Sequence, residues 1–415
     1  MSKRVLFVSY GGGHVAALAP VFSQVSRSGI EADYLALTTA QLYLRSRNIP
    51  FFGFDGCPGS DDWQVQNWGE QLLSHQILIG EIDPGRAGFN RHESIAYLGL
   101  SFRDLVDSCG EEEAWRRFKQ YGRPVFEPIR TLQDLLRKGR YDALVTTNSP
   151  RAEKASILAA FNLAIPSVCV VDLFAVPDRE RLRSKDYADK LCVMIDRVKQ
   201  SLVDAGRPAE TIEVTGNPAF DALHAPLNRQ NASKLMSEWR LNKDSKVVMW
   251  VSHSEPAYHH ITGQKGDKKL PNKILSLLID MLENNPSMFL IVRPHPSESI
   301  CPHAHQRLKV CGQEYPIETL LHLSDLVVTM TSTVGLQALI LGKLVVAARM
   351  SLYESDSPLA KIGLKTGVDR LEDLEDLVIN LLFSNQEYEQ NWFTMEYGRH
   401  ANASSNVANV LSSLL

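Results

Sequence analysis

Cysteine is sparse and unpatterned. The six, Cys57, Cys109, Cys169, Cys192, Cys301 and Cys311, include no C-x-x-C pair. That excludes a dense disulfide scaffold and points to a reducing cytoplasm. No stretch approaches the ~18 apolar residues needed to cross a bilayer, so any membrane association is expected to be peripheral, at the inner face. After Met1-Ser2-Lys3-Arg4 the apolar run Val5 to Ser9 is too short for a secretory leader and reads as a first strand. Strong charge of one sign is also missing: a formal net charge of -4 argues against a nucleic-acid partner, because phosphate-backbone recognition needs a clearly basic surface. There is no H-E-x-x-H and no Asp-x-Asp, and Tyr258-His259-His260 has no partners at ligand spacing, so neither a metal nor another cofactor is expected. G-x-G-x-x-G and the P-loop ending are absent too, as are repeats and low-complexity segments.

What is present is an ordinary globular composition, 44% hydrophobic and 22% charged, on 415 residues. That length suits two α/β domains, and two domains imply a cleft. Short β-branched apolar runs alternate with helical stretches, the pattern of parallel strands buried on both faces. The first series is Val5 to Ser9, Ala32 to Leu37, Ala143 to Thr147, Ser167 to Val171 and Lys190 to Met194. A second series restarts with Val247 to Ser252, Phe289 to Arg293, Leu326 to Thr329 and Leu344 to Ala347. Asp221 to Asp244 is polar and reads as the linker region. The expected division is therefore a doubly wound domain over 1–222, a second over 240–390, and a C-terminal helix over 391–415 that packs back on the first. The segment 51–128, with Trp63, Trp68 and Tyr97, interrupts the first series. It is either an acceptor-recognition insert or a helical layer with long loops.

Four motifs sit where such sheets bind ligands. Directly after the first strand comes Ser9-Tyr10-Gly11-Gly12-Gly13-His14-Val15, opening a helix over Ala16 to Ser28. Glycines let the backbone approach a ligand, and the helix start offers free N–H groups. This loop resembles the Gly-Gly-x-Gly-His-Val or Gly-His-Val loop of lipid-linked and natural-product glycosyltransferases of the GT-B superfamily. The resemblance makes His14 the general base or an acceptor-facing residue, with Gly12 and Gly13 beside it. An imidazole titrates in the right range for that task.

The second motif, Glu213-Val214-Thr215-Gly216-Asn217-Pro218, resembles the domain-junction segment of UDP-N-acetylglucosamine 2-epimerases and related GT-B proteins, which implies a ligand contact at Gly216 and Asn217. The third, Phe289 to Val292 followed by Arg293-Pro294-His295-Pro296-Ser297, pairs a permanently charged fork with a titratable ring, a natural set for a phosphate. It resembles the His-Pro motif of enzymes that use CMP-sugars or CDP-linked alditols, and the corresponding stretch of the 2-epimerases. In both, that histidine contacts the leaving phosphate; here it is His295. The fourth is Thr331-Ser332-Thr333 ahead of a helix from about Val334, where hydroxyl caps and Gly335 suit a phosphate. Ser252-His253 after the first strand of the second half, and Asn148 and Arg151 after a strand of the first, are lesser candidates at the same sheet edge. Glu93, Asp104 or Asp107 is an alternative carboxylate base.

Together these imply a GT-B fold of two Rossmann-like domains facing a cleft. They imply metal-independent hexosyl or sialyl transfer from a UDP- or CMP-linked sugar to a saccharide or lipid-linked acceptor, in cell-surface polysaccharide or glycolipid synthesis. The nucleobase would be read by backbone groups around Gly312 to Ile317. A UDP-N-acetylglucosamine 2-epimerase and a non-catalytic nucleotide-binding partner remain open as alternatives; the Gly-Gly-Gly-His-Val loop departs from the epimerases' Gly-Thr-Arg-Pro-Glu type.

Overall fold

The computed structural model describes residues 3–37, 39–85, 88–175, 178–259, 262–295, 298, 305–384, 392–398 and 402–415. His260, Pro296, Ser297, Cys301 and parts of 391–415 lie outside them. The chain forms two compact units, Met1–Asp221 with His400–Leu415, and Ala222–Arg399.

The first unit holds β1 Arg4–Ser9, β2 Glu31–Ala36, β3 Ala143–Thr147, β4 Ser167–Val170, β5 Lys190–Val193 and β6 Ile212–Val214, all parallel, in the order β2-β1-β3-β4-β5-β6. Val5 and Phe7 pack into a core with Val15, Leu18, Val407 and Leu411. Leu6 and Val8 point the other way and are equally buried. Burial on both faces explains why these strands read as unbroken apolar runs. The helix Ala403–Ser412 thus belongs to the first unit's core, and Asp221 receives the N–H groups of Ala403 and Ser404, each at 2.8 Å.

Between β2 and β3, most of 51–128 is helical, with helices Trp63–Leu78, Arg91–Cys109 and Glu111–Tyr121. They enclose their own aromatic core of Trp68, Phe102, Phe118 and Phe126.

The second unit repeats the plan with β7 Lys246–Val251, β8 Met288–Arg293, β9 Leu308–Val310, β10 Leu326–Thr329, β11 Leu344–Ala348 and β12 Gly367–Val368. All are parallel, in the order β12-β11-β10-β7-β8-β9. The residues expected to be a linker region carry the helix Pro226–Glu238. Pro226 at its first position suits a helix start, and its few apolar side chains left no strand signal.

Both strand orders reverse once. In the first sheet the chain leaves β1 for β2 on one side and β3 on the other; in the second, β7 is flanked by β8 and β10. Ligands of open α/β sheets bind beyond the carboxyl ends of the strands at such reversals.

Candidate functional site

In the first unit the reversal lies between β1 and β3, and the glycine loop grows from the end of β1. Gly12 adopts a φ of 68° just before the helix Gly13–Arg27, a conformation side chains disfavour. Gly11 is required for space, since a Cβ there would fall 1.7 Å from Thr39 Oγ1. A Cβ on Gly13 would meet only the Asp172 carboxylate, at ordinary distances of 3.8 and 4.0 Å.

His14 is the second residue of that helix, half-buried, and its Nδ1 has no hydrogen-bond partner. Two carboxyls, the buried Glu153 and the half-buried Asp172, feel its charge. Burial raises the pKa of Glu153, and the nearby imidazole opposes the rise. Asp172 follows the same logic, with Asp178 adding to the rise. Glu153 Oε1 accepts from the Tyr10 N–H at 2.5 Å, which ties the glycine loop to the start of the helix Ala152–Asn162 after β3. Asn148 links the neighbouring turns: Oδ1 accepts from the Asp172 N–H at 2.7 Å, and Nδ2 donates to Asp178 Oδ2 at 2.6 Å. Arg181 donates to the Asn148 carbonyl and, at 2.5 Å, to Asp178 Oδ1.

Beside this loop is a cavity of about 340 Å³ whose walls include Tyr10, Gly12, Glu93, Tyr97, Arg123 and Arg151. Three expected acceptor residues, Gly12, Glu93 and Arg151, therefore share one space. Gly13 and Asn148 belong to the His14 side instead. Glu93 is only 4% exposed; burial, then the charge of Asp55, pushes its carboxyl up to about 8. Asp104 is held by the N–H and hydroxyl of Thr131, and Asp107 pairs with Arg130, so neither faces this cavity.

In the second unit the reversal lies between β7 and β10. The His253 ring, following β7, meets the Thr331 hydroxyl, following β10, at 3.0 Å. Ser252 donates its N–H to the Arg293 carbonyl at the end of β8 and its hydroxyl approaches Glu298 at 3.4 Å. Glu298 also accepts the His295 N–H at 3.0 Å, and the charge of His295 is felt at His253. Burial is the main reason that the pKa of His253 lies below its ordinary value. Glu255 fixes the neighbouring turn, accepting from Ser351 Oγ at 2.8 Å and the Leu352 N–H at 2.7 Å.

Solved structures share this architecture from end to end. The S. aureus MnaA–UDP complex aligns with a TM-score of 0.60 at 13% identity, covering 100% of this chain and 98% of that one. UDP-GlcNAc 2-epimerase from Neisseria meningitidis, bound to UDP-GlcNAc, gives 0.59 at 14% identity, covering 99% of each. The glycotransferase of kitacinnamycin gives 0.55 at 12% identity, covering 100% of each. The fold is of the GT-B type. A family model described as "Capsule polysaccharide biosynthesis protein" matches residues 265–356, the GT-B half that carries His295 and Thr331. No curated protein matches the chain in sequence.

The remaining expected donor residues are placed as follows. Arg293 Nη1 donates to the carbonyls of Cys311, Gly312 and Tyr315, so the side chain braces the loop after β9. Gly335 makes room for protein, since a Cβ there would lie 2.9 Å from Leu359 Cδ1. Ser332 Oγ accepts from the Val334 N–H at 3.2 Å, while Thr333 makes no side-chain cap; the helix that follows, Val334–Ile340, is short. Gly216 and Asn217 fall in the first unit, where Asn217 Oδ1 accepts from the Ala219 N–H at 3.0 Å. Asp172, Asp178 and Arg181 escaped sequence reasoning because single charged residues after a strand have no diagnostic spacing. Among the described residues no His/Cys/Asp/Glu group is arranged to hold a metal ion, and no helix is long and apolar enough to cross a membrane.

Proposed function

We propose that this chain is a glycosyltransferase that moves a sugar from a UDP- or CMP-linked donor to a hydroxyl of a saccharide or lipid-linked acceptor, in building a cell-surface polysaccharide or glycolipid. The observation that carries the reading is the family match over 265–356, because that segment contributes His295 and Thr331 to the strand-order reversal beside His253. In this reading His253, His295 and Thr331 hydrogen-bond the donor phosphates and stabilise the charge that grows on them as the glycosidic C–O bond breaks. His14 takes the proton of the acceptor hydroxyl, and Glu153 and Asp172 stabilise the imidazolium that forms. Transfer by this route calls on no divalent ion, so the rate is expected to survive chelation with EDTA.

The test is acceptor-dependent release of UDP or CMP from a panel of nucleotide sugars. Release that needs the acceptor, with the sugar recovered on it, supports the proposal. C2 epimerisation of UDP-GlcNAc without any acceptor overturns it in favour of the epimerase alternative, which the fold of the Neisseria meningitidis enzyme and the Val-Thr-Gly-Asn-Pro segment keep in view. Nucleotide binding with neither reaction leaves a non-catalytic binding partner.

A further inference from the structure

We infer that the cavity walled by Tyr10, Gly12, Glu93, Tyr97, Arg123 and Arg151 binds an acidic sugar, one that carries a carboxylate or phosphate beside its hydroxyls. If the proposed transfer is correct, the acceptor is then an anionic saccharide.

The size suits a small ligand: about 340 Å³ falls inside the range of small-molecule sites, roughly 300–1,000 Å³. Charge points to an anion. Among the described residues no carboxylate pairs with Arg151, and Arg123 has only a 3.4 Å contact with the exposed Glu81. Two guanidinium groups lining one cavity, one unpaired and one weakly paired, match the planar oxygens of a carboxylate or phosphate. A neutral sugar would cover Arg151 without compensating it.

Glu93 supplies the second, independent observation. It is almost wholly buried, it lines the cavity, and its Oε1 has no hydrogen-bond partner. Buried polar atoms of that kind are normally satisfied, and a sugar hydroxyl would complete this one. With its pKa near 8, the group is a neutral acid at neutral pH, able to donate to a hydroxyl without repelling an anion. The titratable and charged groups around it are Asp55 and Cys57 from the preceding turns and Tyr97 from its own helix, with Arg123 and Arg151 in the same cavity and Glu81 and Asp83 also on its walls. Tyr97 and Phe89 add aromatic surface for the apolar side of a sugar ring.

The experiment titrates the full chain with glucuronate, glucose 1-phosphate, glucose and inorganic phosphate, followed by saturation-transfer NMR at pH 6.5 and pH 9. At least one anionic sugar is expected to bind about ten-fold tighter than glucose and tighter than inorganic phosphate, the ratio typical of a charge-assisted hydrogen bond. Which anionic sugar binds better separates carboxylate from phosphate. Arg151→Ala is expected to abolish the preference and Arg151→Lys to keep part of it. Wild-type affinity for the anionic sugar is expected to fall at pH 9, as Glu93 ionises, and Glu93→Gln to hold its affinity there. Equal binding of glucose and both anionic sugars, or a preference that survives in folded Arg151→Ala, overturns the inference. If Arg151→Ala does not fold, the wild-type ratio decides alone. Transfer to a neutral acceptor without anion preference removes this inference and leaves the transferase reading. Anionic-sugar binding without transfer from any nucleotide sugar does the reverse.

Discussion

Thr331 Oγ1 and His253 Nε2 lie 3.0 Å apart at the reversal of the second sheet, joining the turns after β10 and β7. The same ring keeps a buried Nδ1 with no partner. Burial lowers the pKa of His253, so the free protein holds the ring neutral near pH 7. An anion placed against it reverses that balance, and nucleotide binding should take up a proton. Calorimetry with UDP and CMP at pH 7, in two buffers of different ionisation heat, is expected to show the uptake in the wild type. His253→Ala should lose it together with about ten-fold or more in affinity, the effect of removing a hydrogen bond to a charged group. Absence of uptake in the wild type would mean that the phosphates do not reach this ring.

His14 offers a different signature. If it removes the acceptor proton, His14→Ala should lower kcat by about 10²–10⁴, the usual contribution of a general base, and leave nucleotide affinity unchanged. Asp172→Asn should give a smaller loss, since the amide keeps the shape but not the charge that favours an imidazolium. Steady-state rates and nucleotide titrations on the same preparations check both. A fall in nucleotide affinity equal to the fall in rate would move His14 from the acceptor chemistry to donor binding.

The long strands and the turns that follow them were legible because both signals are local. Burial on both faces makes β1, β3, β7, β8 and β10 continuous apolar runs, and a polar motif after such a run marks the ligand edge. β6, β9 and β12 were not, since two or three residues are too few to show a pattern. The bracing role of Arg293 was not legible for a related reason. It adjoins His295 in sequence, but where a side chain at a strand end is used depends on the loop beside it, here 311–315, far along the chain. The His14 surroundings likewise join residues from the ends of β1, β3 and β4, and nothing in the sequence announces that Asp172 belongs with His14.

Glu93 should make stability fall with rising pH. Its folded pKa, about 8, lies above the ordinary 4.5, so its contribution is fully present below about 4.5 and is lost as pH rises toward 8. Glu93→Gln retains the shape of the neutral acid and cannot ionise. Denaturant unfolding is expected to find the variant close to wild type at pH 4.5 and more stable at pH 9, by roughly 2–4 kcal/mol after allowance for relaxation around the carboxylate. A constant difference across that range would show that Glu93 ionises normally in the folded protein.

Asp221 closes the first unit by receiving the N–H groups of Ala403 and Ser404, each at 2.8 Å, at the start of the helix Ala403–Ser412. The helix's own cap residue, Asn402, is in the left-handed region and makes no side-chain cap, so the duty falls to a residue far away in sequence. Asn406 adds a bond from Nδ2 to the Thr215 carbonyl at 3.0 Å, and Val407 and Leu411 bury against the sheet. Asp221→Ala removes the cap and leaves the apolar contacts. It should therefore destabilise the first unit by about 1 kcal/mol, the usual value of a helix cap, and not release the helix altogether. Hydrogen exchange is expected to quicken at Ala403 to Asn406 while protection near Leu411 persists. Equal loss along the whole helix would mean that the cap, and not Val407 and Leu411, holds the C-terminus in place.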